Sequence, residues 1–213
     1  MPSSGLHHAH AFLSLGLALI LTGILSLGHS QEPRRIPYII SPKSQLYLEG
    51  TSNVKDFTCR NTLAFRPSQV AMGQVSGNCI TLNTRLQLPI RALDCGNYGI
   101  NRDMQATLQA KDYPYIDIQL LNVTGETQLG ETSQQEWHAL RAQVVVSIAG
   151  KSQTMEVPVR ARQATADTYR FTGSCPLQMT TFGIDPPSAL LGLVQVSDDI
   201  QIYFDLIVTA TGG

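Results

Sequence analysis

From Ser44 onward the chain alternates apolar and polar residues in short runs separated by turn residues. A period of two marks a strand with one buried face. Leu46 and Leu48 alternate with Gln45, Tyr47 and Glu49, and Gly50-Thr51-Ser52-Asn53 reads as a turn. A second strand runs over 57–65, with Phe57, Cys59, Asn61 and Leu63 on one side. A third spans 81–90, with Leu82, Leu86, Leu88 and Ile90 sharing a face. Ile116, Ile118 and Leu120 set the phase of a strand over 115–123. Leu140, Ala142, Val144, Val146 and Ile148 do so over 137–148. Met155, Val157 and Val159 alternate over 154–161, where Pro158 marks an edge, a bulge or a ladder position needing no donor. Phe171, Gly173, Cys175, Leu177 and Met179 share a face of 169–179. Ile200, Ile202, Phe204, Leu206 and Val208 share one of 199–209.

Only one stretch of the chain after the N-terminal apolar run carries a helix pattern. Asn101 is placed to cap it, Asp103 falls in its first turn, Met104 and Leu108 share a face, and Lys111 sits near its end. Pro114 then forces Tyr113 into an extended conformation and closes the window. Eight strands with clean alternation and one short helix predict an all-β fold, an antiparallel barrel or sandwich. An eight-stranded barrel leaves an interior that side chains fill or that holds one small ligand.

The first thirty residues change the picture of location. Phe12 to Leu27 is an uncharged apolar run, followed by small residues around Ser30. It is short for a membrane span and reads as a signal peptide over 1–30, with no membrane span in the mature chain. The leading segment has no Lys or Arg, and the alternative is an uncleaved N-terminal anchor. Residues 31–43, with three prolines and two arginines, read as a leader outside the core, and 44–213 as the domain. Fifteen basic and sixteen acidic residues give a net charge of −1, too weak a field for nucleic acid as a partner. All four cysteines, Cys59, Cys79, Cys95 and Cys175, lie after the signal, and an even count in an exported chain points to disulfides. Three pairings are open. No CxxC spacing is present to suggest a redox pair or a zinc site.

Candidate chemistry is sparse. His138 is the one histidine after the signal; on the face of Leu140 and Ala142 it reads as a buried, hydrogen-bonded side chain rather than a base or a metal ligand. Asp94 and Asp103 read as a turn carboxylate and a helix-dipole carboxylate. Arg102 is a head-group candidate only if it reaches a tunnel mouth. Gly50-Thr51-Ser52-Asn53 has no Lys and no following helix, so it is not a phosphate loop. Asn122-Val123-Thr124 fits a glycosylation sequon, a three-residue pattern that often occurs by chance. No Ser-His-Asp or Cys-His set can be assembled around a single histidine, so no catalytic residue and no cofactor or metal is expected.

Several segments match a known family in order. Gly50-Thr51-Ser52-Asn53-Val54 with Phe57, Leu93-Asp94-Cys95-Gly96-Asn97, Asn101-Arg102-Asp103-Met104, Leu108-Gln109-Ala110, Tyr113-Pro114, Val146-Ser147-Ile148-Ala149-Gly150, and Met179-Thr180-Thr181-Phe182-Gly183-Ile184 with Pro186-Pro187 span roughly 44 to 208. This set resembles the YceI-like proteins, in a branch with the GTSNV signature. The resemblance implies an eight-stranded, lipocalin-like antiparallel barrel with one short helix, in an exported or periplasmic bacterial protein. It implies a long apolar tunnel holding a polyisoprenoid or quinone-like lipid, with no catalysis. The lining would be Leu48, Phe57, Met104, Leu108, Ile116, Ile118, Val146, Met179, Phe182, Ile184 and Phe204. By family habit Cys59 pairs with Cys95, leaving Cys79 for Cys175. The partner is then an apolar lipid, and a homodimer is allowed. The competing expectation is a packed envelope protein acting through its surface with no ligand, since a packed core and a tunnel need the same apolar inward face.

Overall fold

The computed structural model describes residues 33–125, 136–189 and 193–211. The expected signal peptide and most of the segment between the strands expected over 115–123 and 137–148 lie outside them. Twelve strands are present among the described residues: β1 (Arg34–Ile40), β2 (Gln45–Ser52), β3 (Phe57–Asn61), β4 (Ser68–Ser76), β5 (Cys79–Pro89), β6 (Leu93–Asp94), β7 (Tyr115–Gly125), β8 (His138–Ile148), β9 (Lys151–Gln163), β10 (Thr168–Gln178), β11 (Ser188–Ala189) and β12 (Val194–Ala210). One helix, α1 (Tyr98–Thr107), and two short 3-10 turns, Ile90–Ala92 and Met179–Phe182, complete the set.

Eight strands close a ring in the order β1-β4-β5-β7-β8-β9-β10-β12, with β12 returning to β1, and every pairing is antiparallel. The fold is the all-β barrel with one short helix that the alternation predicts. Its membership differs from the prediction. The segment read as a leader forms β1, which pairs with both β4 and β12 and buries Tyr38 and Ile40. Pro37 stands where the β1–β12 ladder ends; its carbonyl accepts from Thr211 N at 2.9 Å, and no donor is needed from the proline. β4 carries no clean alternation because a bulge between Met72 and Val75 shifts its phase against β5. β2 lies end to end with β1 along β12, and β3 and β6 extend from it as a branch outside the ring. The strand expected over 57–65 stops at Asn61.

The helix starts earlier than predicted. Asn97, not Asn101, is the cap: its side-chain oxygen accepts from the Gly99 and Ile100 backbone N–H groups at 2.8 and 3.2 Å. Asp103 therefore lies beyond the first turn, and Lys111 lies past the end. Asn101 instead braces the turn before the helix. Its side chain accepts from Cys95 N at 2.7 Å and donates to Asp94 Oδ1 at 2.8 Å.

Candidate functional site

The registers of β8, β9, β10 and β12 stack the inward side chains in rows across the barrel wall. The first row is His138, Ala161, Phe171 and Leu206, and the second is Leu140, Val159, Gly173 and Phe204. All eight are partly exposed although they face inward. Below them Ala142, Val144, Val146, Ile148, Val157, Cys175 and Leu177 are buried in one cluster with Met179, Phe182 and Ile184. The interior is thus packed at the end where α1 and both 3-10 turns lie, and looser at the end of β1 and β4. Phe182, Ile90 and Leu93 are each at most 1% exposed and seal the packed end.

All eleven residues predicted to line a tunnel fall in two apolar clusters. Val146, Met179, Phe182 and Ile184 are buried in the first, against which Leu108, Ile116, Ile118 and Phe204 pack. Leu48, Phe57, Met104 and Ile116 pack on the second, built on Leu46, Cys59, Leu88 and Leu93. Ile116 belongs to both and joins them. Alternation places the strand residues among them, whereas Met104 and Leu108 come from α1 and its cap, and Met179, Phe182 and Ile184 from the turn after β10. The larger surface hollow, about 600 Å³, is a different feature. It is bordered by outward side chains, including Tyr47, Arg141, Arg160 and Tyr203, and by all four residues of the second row, of which only Phe204 belongs to the predicted lining.

The sequence signatures prove to be joints. Gly50 stands opposite Phe57, and a side chain on Gly50 would sit 2.4 Å from the Phe57 ring and 2.9 Å from Ile200. Asn53 clamps the start of β12: its Oδ1 accepts from Gln195 N at 2.9 Å and its Nδ2 donates to Leu193 O at 2.9 Å. Asp94 Oδ1 accepts from Gly96 N at 2.9 Å as well as from Asn101, and these bonds, the Asn101 bond first, hold the Asp94 carboxyl below the ordinary range. That network seats Cys95, which is bonded to Cys59 as the resemblance implies. The second expected pair is not formed: Cys79 and Cys175 are free thiols. Cys79 sits at the β4–β5 hairpin opposite Ser76 and Thr124, whereas Cys175 faces inward beside Ile202 with its sulfur 3.7 Å from Met155 Sδ. Burial pushes the Cys175 thiol up. Arg102 pairs with the adjacent Asp103 at 3.1 Å on the exposed face of α1, away from the inward rows.

His138 departs from its expected state. It is partly buried as anticipated, but its Nε2 is buried without a hydrogen-bond partner among the described residues. No group of three or more metal-ligating side chains occurs among those residues, and no described helix is long and apolar enough to cross a membrane.

A closed antiparallel ring of eight strands with an apolar interior defines a lipocalin-like barrel. The chain is similar in structure to a polyisoprenoid binding domain from Saccharophagus degradans implicated in plant cell wall breakdown, with a TM-score of 0.62 at 11% identity, covering 83% of this chain and 99% of that one. It is similar to Burkholderia cenocepacia BcnA, with a TM-score of 0.57 at 17% identity, covering 78% and 96%. A Campylobacter jejuni YCEI protein gives a TM-score of 0.47 at 13% identity, covering 70% and 84%. No family model matches the sequence, and no curated protein matches it. At 11% and 17% identity, the likeness to the first two of these structures is one of fold.

Proposed function

We propose that this protein binds a long apolar molecule, isoprenoid or quinone-like, inside the barrel, and does so as an exported bacterial carrier without catalysis. The observation that carries this reading is the gradient along the inward face. Apolar side chains that a packed barrel would bury, among them Leu140, Val159, Phe204 and Leu206, stay partly exposed in the half away from α1. Burying hydrocarbon against them is worth about 0.8 kcal/mol per methylene, so a prenyl chain needs no reactive group to be held. The polyisoprenoid-binding description of one structural neighbour supports the same ligand class. The Cys59–Cys95 disulfide suits an exported chain.

The test is organic extraction of the mature protein purified from an exported preparation, with mass spectrometry of the extract. A stoichiometric polyprenyl or quinone-like species is expected. Ile118→Arg or Phe204→Arg is expected to lower occupancy in a folded protein, since each would place a charge on the apolar face. An empty extract with no uptake on lipid add-back would reject the carrier. The outward hollow beside Tyr47 and Tyr203 favours the competing reading, a barrel that acts through its surface.

A further inference from the structure

Resting on the lipid-binding reading, we infer that His138 is the polar anchor of the barrel, taking an uncharged hydroxyl or carbonyl oxygen at the head of the apolar ligand. His138 opens β8, in register with Ala161 of β9, and that row continues to Phe171 and Leu206. Its face is that of Leu140, Ala142 and Val144, so the imidazole points inward. Nε2 is buried with no partner among the described residues. A buried nitrogen left unpaired costs about 1–3 kcal/mol, and native proteins seldom retain one that nothing uses. Ala161, the smallest side chain of the row, lies directly across from His138, while the gap at Gly173 in the row beneath is filled by the Phe204 ring. Phe171, Leu206, Leu140 and Phe204 then continue as an apolar path away from the nitrogen.

The chemistry of the head follows from what lines these two rows. They contain no Lys or Arg, so a phosphate or carboxylate would meet no fixed cation there. Imidazole can donate to a carbonyl or exchange donor and acceptor roles with a hydroxyl. An alcohol, a phenol or a quinone fits; a bare hydrocarbon leaves Nε2 unpaired.

The experiment compares three probes on the mature protein: a long-chain polyprenol, the matching polyprene hydrocarbon, and the matching polyprenyl phosphate. Wild type is expected to prefer the alcohol. His138→Leu is expected to weaken the alcohol about tenfold, the worth of one buried hydrogen bond, and to leave the hydrocarbon unchanged. His138→Gln, which keeps a hydrogen-bonding group, is expected to restore most of the alcohol affinity. The melting temperature of the ligand-free Leu variant should hold or rise, because an unpaired buried nitrogen has been removed. Equal binding of alcohol and hydrocarbon by wild type and the Leu variant overturns the anchor and leaves the carrier standing. Equal loss of both probes with a lowered melting temperature makes His138 a packing residue and overturns it too. A His138-dependent preference for the phosphate overturns the uncharged head. Failure of wild type to bind any probe removes both the anchor and the carrier.

Discussion

Cysteine chemistry shows where single residues obey the chain and where they obey the fold. Cys59 and Cys95 are brought together because β3 pairs with β6, setting Arg60 beside Asp94 and placing Cys95 one residue on. A bridge closing a loop of 36 residues is worth about 4 kcal/mol by the chain-entropy relation. Cys79 and Cys175 have no such neighbour, since they stand on strands separated in the ring by β7, β8 and β9. Thiol titration of the denatured, unreduced mature protein should therefore count the two thiols of Cys79 and Cys175 rather than none. In the native protein Cys79, partly exposed at its hairpin, should be alkylated well before Cys175, which is buried and has a raised pKa. Equal labelling rates would contradict the burial of Cys175. The even count of cysteines carries no information on this point, because parity does not say which strands are adjacent.

At the scale of elements, alternation is legible wherever a strand keeps one phase, and β8 is the clearest case, burying Ala142, Val144, Val146 and Ile148 in turn. It fails at β4, where a bulge breaks the phase, and at β1, where two arginines and a proline hide a strand whose few inward residues are nevertheless needed. The sequence pattern points to the wrong asparagine as the cap of α1, since Asn97 and Asn101 are equally able to cap and only the position of Cys95 decides between them. Pro158 does occupy a position that needs no ladder donor. β9 and β10 pair only as far as Val159 and Gly173, so the proline stands just where their ladder ends. Gly173 is required at the same joint: a side chain there would lie 2.5 Å from Phe204 Cζ and 2.6 Å from the Pro158 carbonyl oxygen. The ring can swing aside, but the carbonyl belongs to the backbone and cannot. Gly173→Ala should thus cost roughly 1–3 kcal/mol by denaturant unfolding. Adding Phe204→Ala should recover little of it. Full recovery in the double variant would mean that the ring alone, not the Pro158 carbonyl, forbids a side chain.

For the whole molecule, the decisive contact is the closure of the ring by β1. On the edge away from β10, β12 pairs with β2 over Gln45 to Ser52, but near its end β1 takes over, at Tyr38, Ile39 and Ile40. The same strand covers β4 from Arg34 to Tyr38. Without it, β4 and the end of β12 become open edges, and open edges invite pairing with other chains. The energetic loss is also large against the whole. Burying Tyr38 and Ile40 contributes about 1.5–3 kcal/mol each, compared with a total of about 5–15 kcal/mol for a typical domain. The Tyr38 hydroxyl hydrogen bond to Thr84 Oγ1 at 2.7 Å, which ties β1 across to β5, would be lost as well. A chain beginning at Ser41 should therefore unfold at lower denaturant, self-associate on sizing columns and take up no lipid, whereas a chain beginning at Pro33 should match the mature protein. The uptake result follows from the geometry. The partly exposed inward rows lie in the half that β1 helps to wall, so opening the ring there exposes the hydrocarbon surface to water and leaves a ligand half unsheltered. A Ser41 truncation that stayed monomeric and loaded lipid normally would show that β2 and β3 suffice to close the barrel, and would move the ligand toward the end capped by α1.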